Sequence, residues 1–188
     1  MRFDWYQATI DEHPVRLVET IKAALAPGGD VVEGRGRHNY HQAFTVRDAR
    51  GERVAVVLAG GPNGNPNATA SGAATDGFVR LVRDAWPVHR VTRFDTAEDF
   101  CAPGAFESAE DVCRKLAREL GVKGRAIVPD DPTEGRTYYL GAPSSDVRVR
   151  LYDKTAESRR SLPEDRHGEI PDHWARLEAQ VRPRKEWK

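Results

Sequence analysis

Residues 147–154 read Val-Arg-Val-Arg-Leu-Tyr-Asp-Lys. In a strand, successive side chains point to opposite faces. Val147, Val149 and Leu151 then face a core, and Arg148, Arg150, Tyr152 and Lys154 share the other face. Residues 173–182, HWARLEAQVR, repeat the pattern. Leu177, Ala179 and Val181 face inward, while Trp174, Arg176, Glu178, Gln180 and Arg182 share the polar side. Residues 2–10 also alternate, with Phe3, Trp5, Gln7 and Thr9 opposite Asp4, Tyr6, Ala8 and Ile10, so both faces carry bulk. In VTRFDTAEDF, residues 91–100, a strand over 91–95 that continued would set Arg93, Asp95, Ala97 and Asp99 on one face.

Helical patterns lie between these strands. Pro14 suits a first helical turn, Val18, Ile21 and Leu25 recur at helical spacing, and Pro27-Gly28-Gly29 ends the run. A second helix is expected near Thr75 or Asp76, with Phe78, Leu81, Val82 and Ala85 on one face and Trp86-Pro87 closing it. A third is expected to be capped by Ser108, with Ala109, Val112, Cys113, Leu116, Ala117 and Leu120 as its stripe and Gly121 as its stop. Asp48-Ala49-Arg50-Gly51-Glu52 reads as a hairpin loop joining strands near 40–47 and 53–58. Residues 60–72, GGPNGNPNATASG, read as a long loop, and residues 157–171 as a polar one. Strands with helices inserted between them give the expected class: α+β, a central antiparallel sheet of about five strands with helices mainly on one face. At 188 residues the chain fits one domain, 1–188.

Composition narrows the function classes. Lys plus Arg number 29 and Asp plus Glu 29. Nucleic-acid binding would therefore need a local basic patch rather than a global field. No apolar run reaches the roughly 18 residues of a membrane span. The N-terminal MRFDWYQATIDEH places acids where a signal peptide is apolar, which points to a cytoplasmic protein. Cys101 and Cys113 form no disulfide framework, and Cys113 falls in a helical stripe, where packing explains it. The glycines of residues 60–72 lack the Gly-Lys-Ser/Thr of a phosphate-binding P-loop. His38 and His41, three apart, suit solvent or substrate contact better than a metal. No His-X-His pair occurs.

The chemistry-bearing residues fall on the polar strand faces. A tyrosine among three cations on residues 147–154 suggests a phenolate made easier to form and a phosphodiester held in place. Glu178 stands between Arg176 and Arg182. Asp95 and Asp99 offer oxygen ligands of the kind Mg²⁺ or Mn²⁺ takes. Together they fit metal-assisted phosphoryl transfer with a tyrosine nucleophile. Taken alone, residues 147–154 read more simply as a basic solvated strand with a half-buried tyrosine, residues 173–182 as a salt-bridged sheet surface, and Asp99 as a turn cap past its strand end.

Several stretches carry a family resemblance: RFDWYQATI, GGPNGNPNATASG, VTRFDTAEDF, TYYLGAPSSDVRVRLYDK and WARLEAQVRP. In order and over nearly the whole chain, they resemble the replication initiation factor family. These are the rolling-circle initiators of small plasmids and filamentous phages, with related relaxases. The most specific part is Gly-Ala-Pro-Ser-Ser-Asp followed by Arg-Leu-Tyr-Asp-Lys. The resemblance implies nicking of one DNA strand at a single-stranded or hairpin origin, with a covalent 5′-phosphotyrosine and a free 3′-OH. It implies Mg²⁺ or Mn²⁺ held by acids. The missing His-X-His separates the chain from the better-known initiator class. Carried over, Tyr152 is the nucleophile and Tyr139 the second choice. Asp95 and Glu178 are metal ligands, with Asp99 and Asp153 as further ones. Arg150 and Lys154 contact the scissile phosphate, and Arg148, Arg176 and Arg182 contact DNA. A host helicase and a second copy of the chain are the further partners implied. Family members commonly continue past the Arg-Leu-Glu segment, whereas this chain ends at Trp187-Lys188, as a catalytic core or shortened variant would. The competing reading is a module that binds an origin without cutting it.

Overall fold

The structure is a computed structural model, and it describes residues 1–184. The chain end at Trp187-Lys188 lies outside them. It is an α+β fold, and every strand pair with an assigned register is antiparallel. Two compact units divide the described chain: an N-terminal unit, Arg2–Asp95, and a C-terminal unit, Thr96–Arg184 with Met1.

The N-terminal unit orders its strands β2 (Asp30–Arg35), β3 (Gln42–Arg47), β4 (Arg53–Ala59), β5 (Asn67–Ser71) and β1 (Arg2–Thr9). The first half of β6 (Arg90–Cys101) also belongs here, and the Thr92 hydroxyl donates to the Gln7 carbonyl at 3.2 Å. Helices α1 (Pro14–Leu25) and α2 (Thr75–Ala85) bury Leu17, Val18, Ile21, Phe78, Val79 and Val82 against Tyr6, Ala8, Val46 and Val57. The hairpin between β3 and β4 forms as expected. The Asp48 carboxylate accepts from the Arg50 and Glu52 amides, and Gly51 takes φ 79°, a conformation that favours glycine.

The C-terminal unit holds the second half of β6 and the run β10 (Trp174–Val181), β9 (Val147–Asp153), β8 (Thr137–Leu140) and β7 (Gly124–Ile127). Helix α3 (Ala105–Glu119) covers the face of Leu140, Leu151 and Ala175 with Phe106 and Cys113. A Cβ at Gly124 would lie 1.9 Å from the Tyr138 hydroxyl, so a larger residue there would push that buried ring aside. Among the described residues, no helix is long and apolar enough to cross a membrane.

Five expectations need correction. Ten strands form rather than about five: β3, β4 and β8 pair as well, and β2, β5 and β7 carry weak local signals. Residues 67–71 of the expected long loop are β5, paired on both sides by β1 and β4. Helix α3 starts three residues before Ser108, on Gly104 with φ 74°. Its buried side is Phe106 and Cys113 flanked by Ala109 and Ala117, while Val112, Leu116 and Leu120 are exposed. The expected polar loop contains α4 (Lys154–Ser161). Lys154 therefore opens a helix instead of ending the strand, and Asp153 caps it by accepting from the Ala156 amide at 2.9 Å. Arg182 lies past the end of β10.

Candidate active site

The register of β9 against β10 builds the site. Tyr152 lies opposite Arg176, Arg150 opposite Glu178, and Arg148 opposite Gln180. On the other side of β9, Tyr139 of β8 lies opposite Arg150, and Thr137 opposite Tyr152. The core face carries Leu151 opposite Leu177, as the alternation requires. The polar face is therefore a lattice of arginines, tyrosines and acids on three adjacent strands.

The rings and cations of this lattice are in contact. The Arg148 guanidinium sits 3.7 Å over the Tyr139 ring, and that of Arg150 sits 3.9 Å over Tyr152. The Lys154 ammonium is 5.8 Å from the Tyr152 ring and 5.7 Å from the Trp174 ring, and it pairs with Glu157. The Nε atoms of Arg148 and Arg150 are buried with no hydrogen-bond partner. Two such donors in one patch mark a place where acceptors are lacking.

Tyr152 is only 4% exposed, and its hydroxyl donates to Glu178 Oε1 at 2.7 Å. Glu178 Oε2 lies 3.8 Å from Arg150. The pKa of the phenol is pushed strongly upward. Burial is the largest cause, followed by the Glu178 hydrogen bond and charge, and the opposing pull of Arg176 is smaller. This reverses the expectation that cations on the strand would favour phenolate. Stacked over the ring, they do not offset desolvation and a carboxylate at the oxygen.

Asp99 and Arg176 form the second element of the site. Arg176 is 5% exposed and donates to Asp99 through Nε at 2.7 Å and Nη2 at 3.1 Å. Trp174 Nε1 donates to the same carboxylate at 2.7 Å. Asp99 is thus on the strand, inside the site, and held by an arginine. Asp95 belongs to the N-terminal unit, where it is buried and Arg93 grips both its oxygens. Arg182 donates to the Pro143 carbonyl at 2.9 Å, at the turn before β9.

Asp99 and Glu178 have the oxygen donors that Mg²⁺ or Mn²⁺ prefers, and both stand on this face. Both also carry cationic or hydroxyl partners here. Among the described residues, no group of three or more His, Cys, Asp and Glu is arranged to hold a metal. The sequence did not single out Trp174 as a functional residue. Its place on the same face as Arg176 and Glu178 was the available signal.

No protein-family model matches the chain, and no curated protein matches it. Among solved structures it is similar to the rolling circle replication initiator protein from Geobacillus stearothermophilus, with a TM-score of 0.66 and 23% identity. The match covers 96% of this chain and 73% of that one. At this identity the likeness is one of fold.

Proposed function

We propose that the protein is a rolling-circle replication initiator that nicks one DNA strand and holds the cut end as a 5′-phosphotyrosine. One observation carries the reading: the face on which Tyr139, Arg148, Arg150 and Tyr152 stack, with the Tyr152 hydroxyl on Glu178 and two arginine Nε donors lacking acceptors. Arg150 is 39% exposed, so its guanidinium is open to an incoming phosphodiester. Tyr152 Oη attacks phosphorus, the phenol proton passes to Glu178, and the bond to the 3′ oxygen breaks. That oxygen takes a proton from water as Glu178 returns its own to solvent. Tyrosine suits the task because the phosphotyrosine bond conserves the energy of the broken phosphodiester, so the 3′-OH can reseal it.

Asp99 and Glu178 are the proposed holders of Mg²⁺ or Mn²⁺ in the C-terminal unit, and Asp95 is the proposed acid of the N-terminal unit. A bound cation would neutralise charge on the phosphoryl oxygens. Binding one would require Asp99 to loosen from Arg176, with Glu178 offering Oε2 while Oε1 stays on Tyr152. DNA, single-stranded or as an origin hairpin, is the proposed partner, with Arg148 and Lys154 on its path. A host helicase and a second copy of the chain remain partners by resemblance.

A second reading, a DNA-binding module without cleavage, is favoured by the burial of Tyr152 and its raised phenol. The experiment is incubation with labelled single-stranded origin DNA and Mn²⁺, scoring the covalent adduct. Wild type should form it, Tyr152→Phe should lose it while still binding DNA, and Tyr139→Phe should keep it. Loss in Tyr139→Phe alone moves the nucleophile to Tyr139. DNA binding with no adduct from wild type favours the module.

A further inference from the structure

A cavity of about 320 Å³ lies wholly within the C-terminal unit, and the chemistry above makes no use of it. The start of α3, the approach to β8, α4 and the start of β10 line it, and it opens to solvent. Two ion pairs stand at its walls. Arg136 pairs with Glu107 and lies 4.5 Å over the Phe106 ring, and Arg159 donates to Asp172 at 3.0 Å. Trp174 is the wall shared with the catalytic face, where its Nε1 donates to Asp99. His173, also in the wall, takes φ 54°, a conformation rare outside glycine.

We propose that this cavity receives one unstacked nucleobase of the single strand, next to the nucleotide whose phosphate meets Tyr152. The inference rests on the strand-transfer reading and names a subsite within it. The volume falls at the small end of the roughly 300–1,000 Å³ of ligand pockets, room for one nucleoside and not for a base pair. Trp174 and the Arg136 guanidinium supply flat surfaces for a base to stack on. Each ion pair sets a carboxylate acceptor beside guanidinium donors, the alternation that base edges present. Both pairs are substantially exposed, so trading the partner for a ligand costs little. A lone phosphate fits poorly, because Glu107, Asp153 and Asp172 place three carboxylates in the same walls. Asp153 points to the other face of β9 from Tyr152, so Trp174 is the link: it lines the cavity and its Nε1 reaches Asp99 on the catalytic face, which lets base and phosphate belong to neighbouring nucleotides.

The four deoxynucleoside 5′-monophosphates, titrated one at a time, test this by nuclear magnetic resonance of the tryptophan indole N–H signals. Inorganic phosphate is the control, and the Trp174 signal is identified by its loss in Trp174→Phe. With at least one nucleotide the Trp174 signal should move and saturate, phosphate should leave it in place, and Trp5 and Trp86 should not respond. Ala105→Leu, which fills the cavity, should abolish the movement. Should that variant not fold, Glu107→Gln should weaken it and alter which base binds best. No movement with any nucleotide overturns the proposal. So does an equal movement with phosphate, which marks an anion site, or a movement that survives Ala105→Leu in a folded protein. The titration involves no cleavage, so failure to form a covalent adduct and failure to bind a base are read separately.

Discussion

The two units contrast in what they bury. The N-terminal unit gathers sixteen buried side chains into one apolar cluster under α1 and α2. The C-terminal unit gathers six, among the described residues, and sets most of its unusual contacts on the opposite face. Apolar burial is the main driving term for folding, so the first unit is stabilised chiefly by its core. In the second, ion pairs and cation–ring contacts take a larger share. Such contacts contribute less net stability and more directional chemistry.

The largest expected effect tests the apolar half. Phe78 is fully buried in the first cluster. Phe78→Ala should cost about 3–5 kcal/mol, read by urea denaturation. A loss under about 1 kcal/mol would mean the cluster does not carry that unit. Asp99→Ala should follow at about 3 kcal/mol, because it strips a carboxylate from the buried Arg176. If the polar face were merely a solvated surface, the change would stay within about 0.5 kcal/mol.

Alkaline pH sharpens the contrast further. Each unit holds a tyrosine whose phenol is pushed up, Tyr6 by burial and Tyr152 by burial together with Glu178. A raised folded-state pKa stabilises the fold below the unfolded value of about 10, and that contribution is lost as pH rises above it. Unfolding free energy should therefore decline above about pH 10. Tyr152→Phe should flatten the decline more than Tyr6→Phe does, as measured by denaturation at stepped pH. An equal effect from the two would show that the Glu178 contact adds nothing. Leu120→Lys, at the exposed C-cap of α3, is the smallest expected change, within about 0.5 kcal/mol.

How legible each part was follows from the same physics. Residues 147–153 alternate valine and leucine with arginine and tyrosine, so the strand and its two faces could be read. Asn-Ala-Thr-Ala-Ser could not be read as β5, since its small side chains show no contrast and its pairing with β1 is long-range. Helix α4 has a single buried residue, Ser158, and so no apolar stripe to reveal it. The same-face grouping of Tyr152 with Arg150, and of Arg176 with Glu178, came from alternation alone. Which arginine would hold which acid depends on register between distant strands. The direction of the Tyr152 shift depends on burial, and a list of neighbouring charges does not contain burial.

The pairing of β1 with β5 bears on how the chain is made. Trp5 lies opposite Ser71, whereas β7, β8 and β9 each pair with the next strand in sequence. During vectorial synthesis the first strand leaves the ribosome long before its partner exists. Its buried Tyr6, Ala8 and Ile10 must wait without a sheet. The C-terminal meander closes strand by strand as it emerges. The half with the larger apolar core is therefore the one that depends most on protection while the chain is still growing.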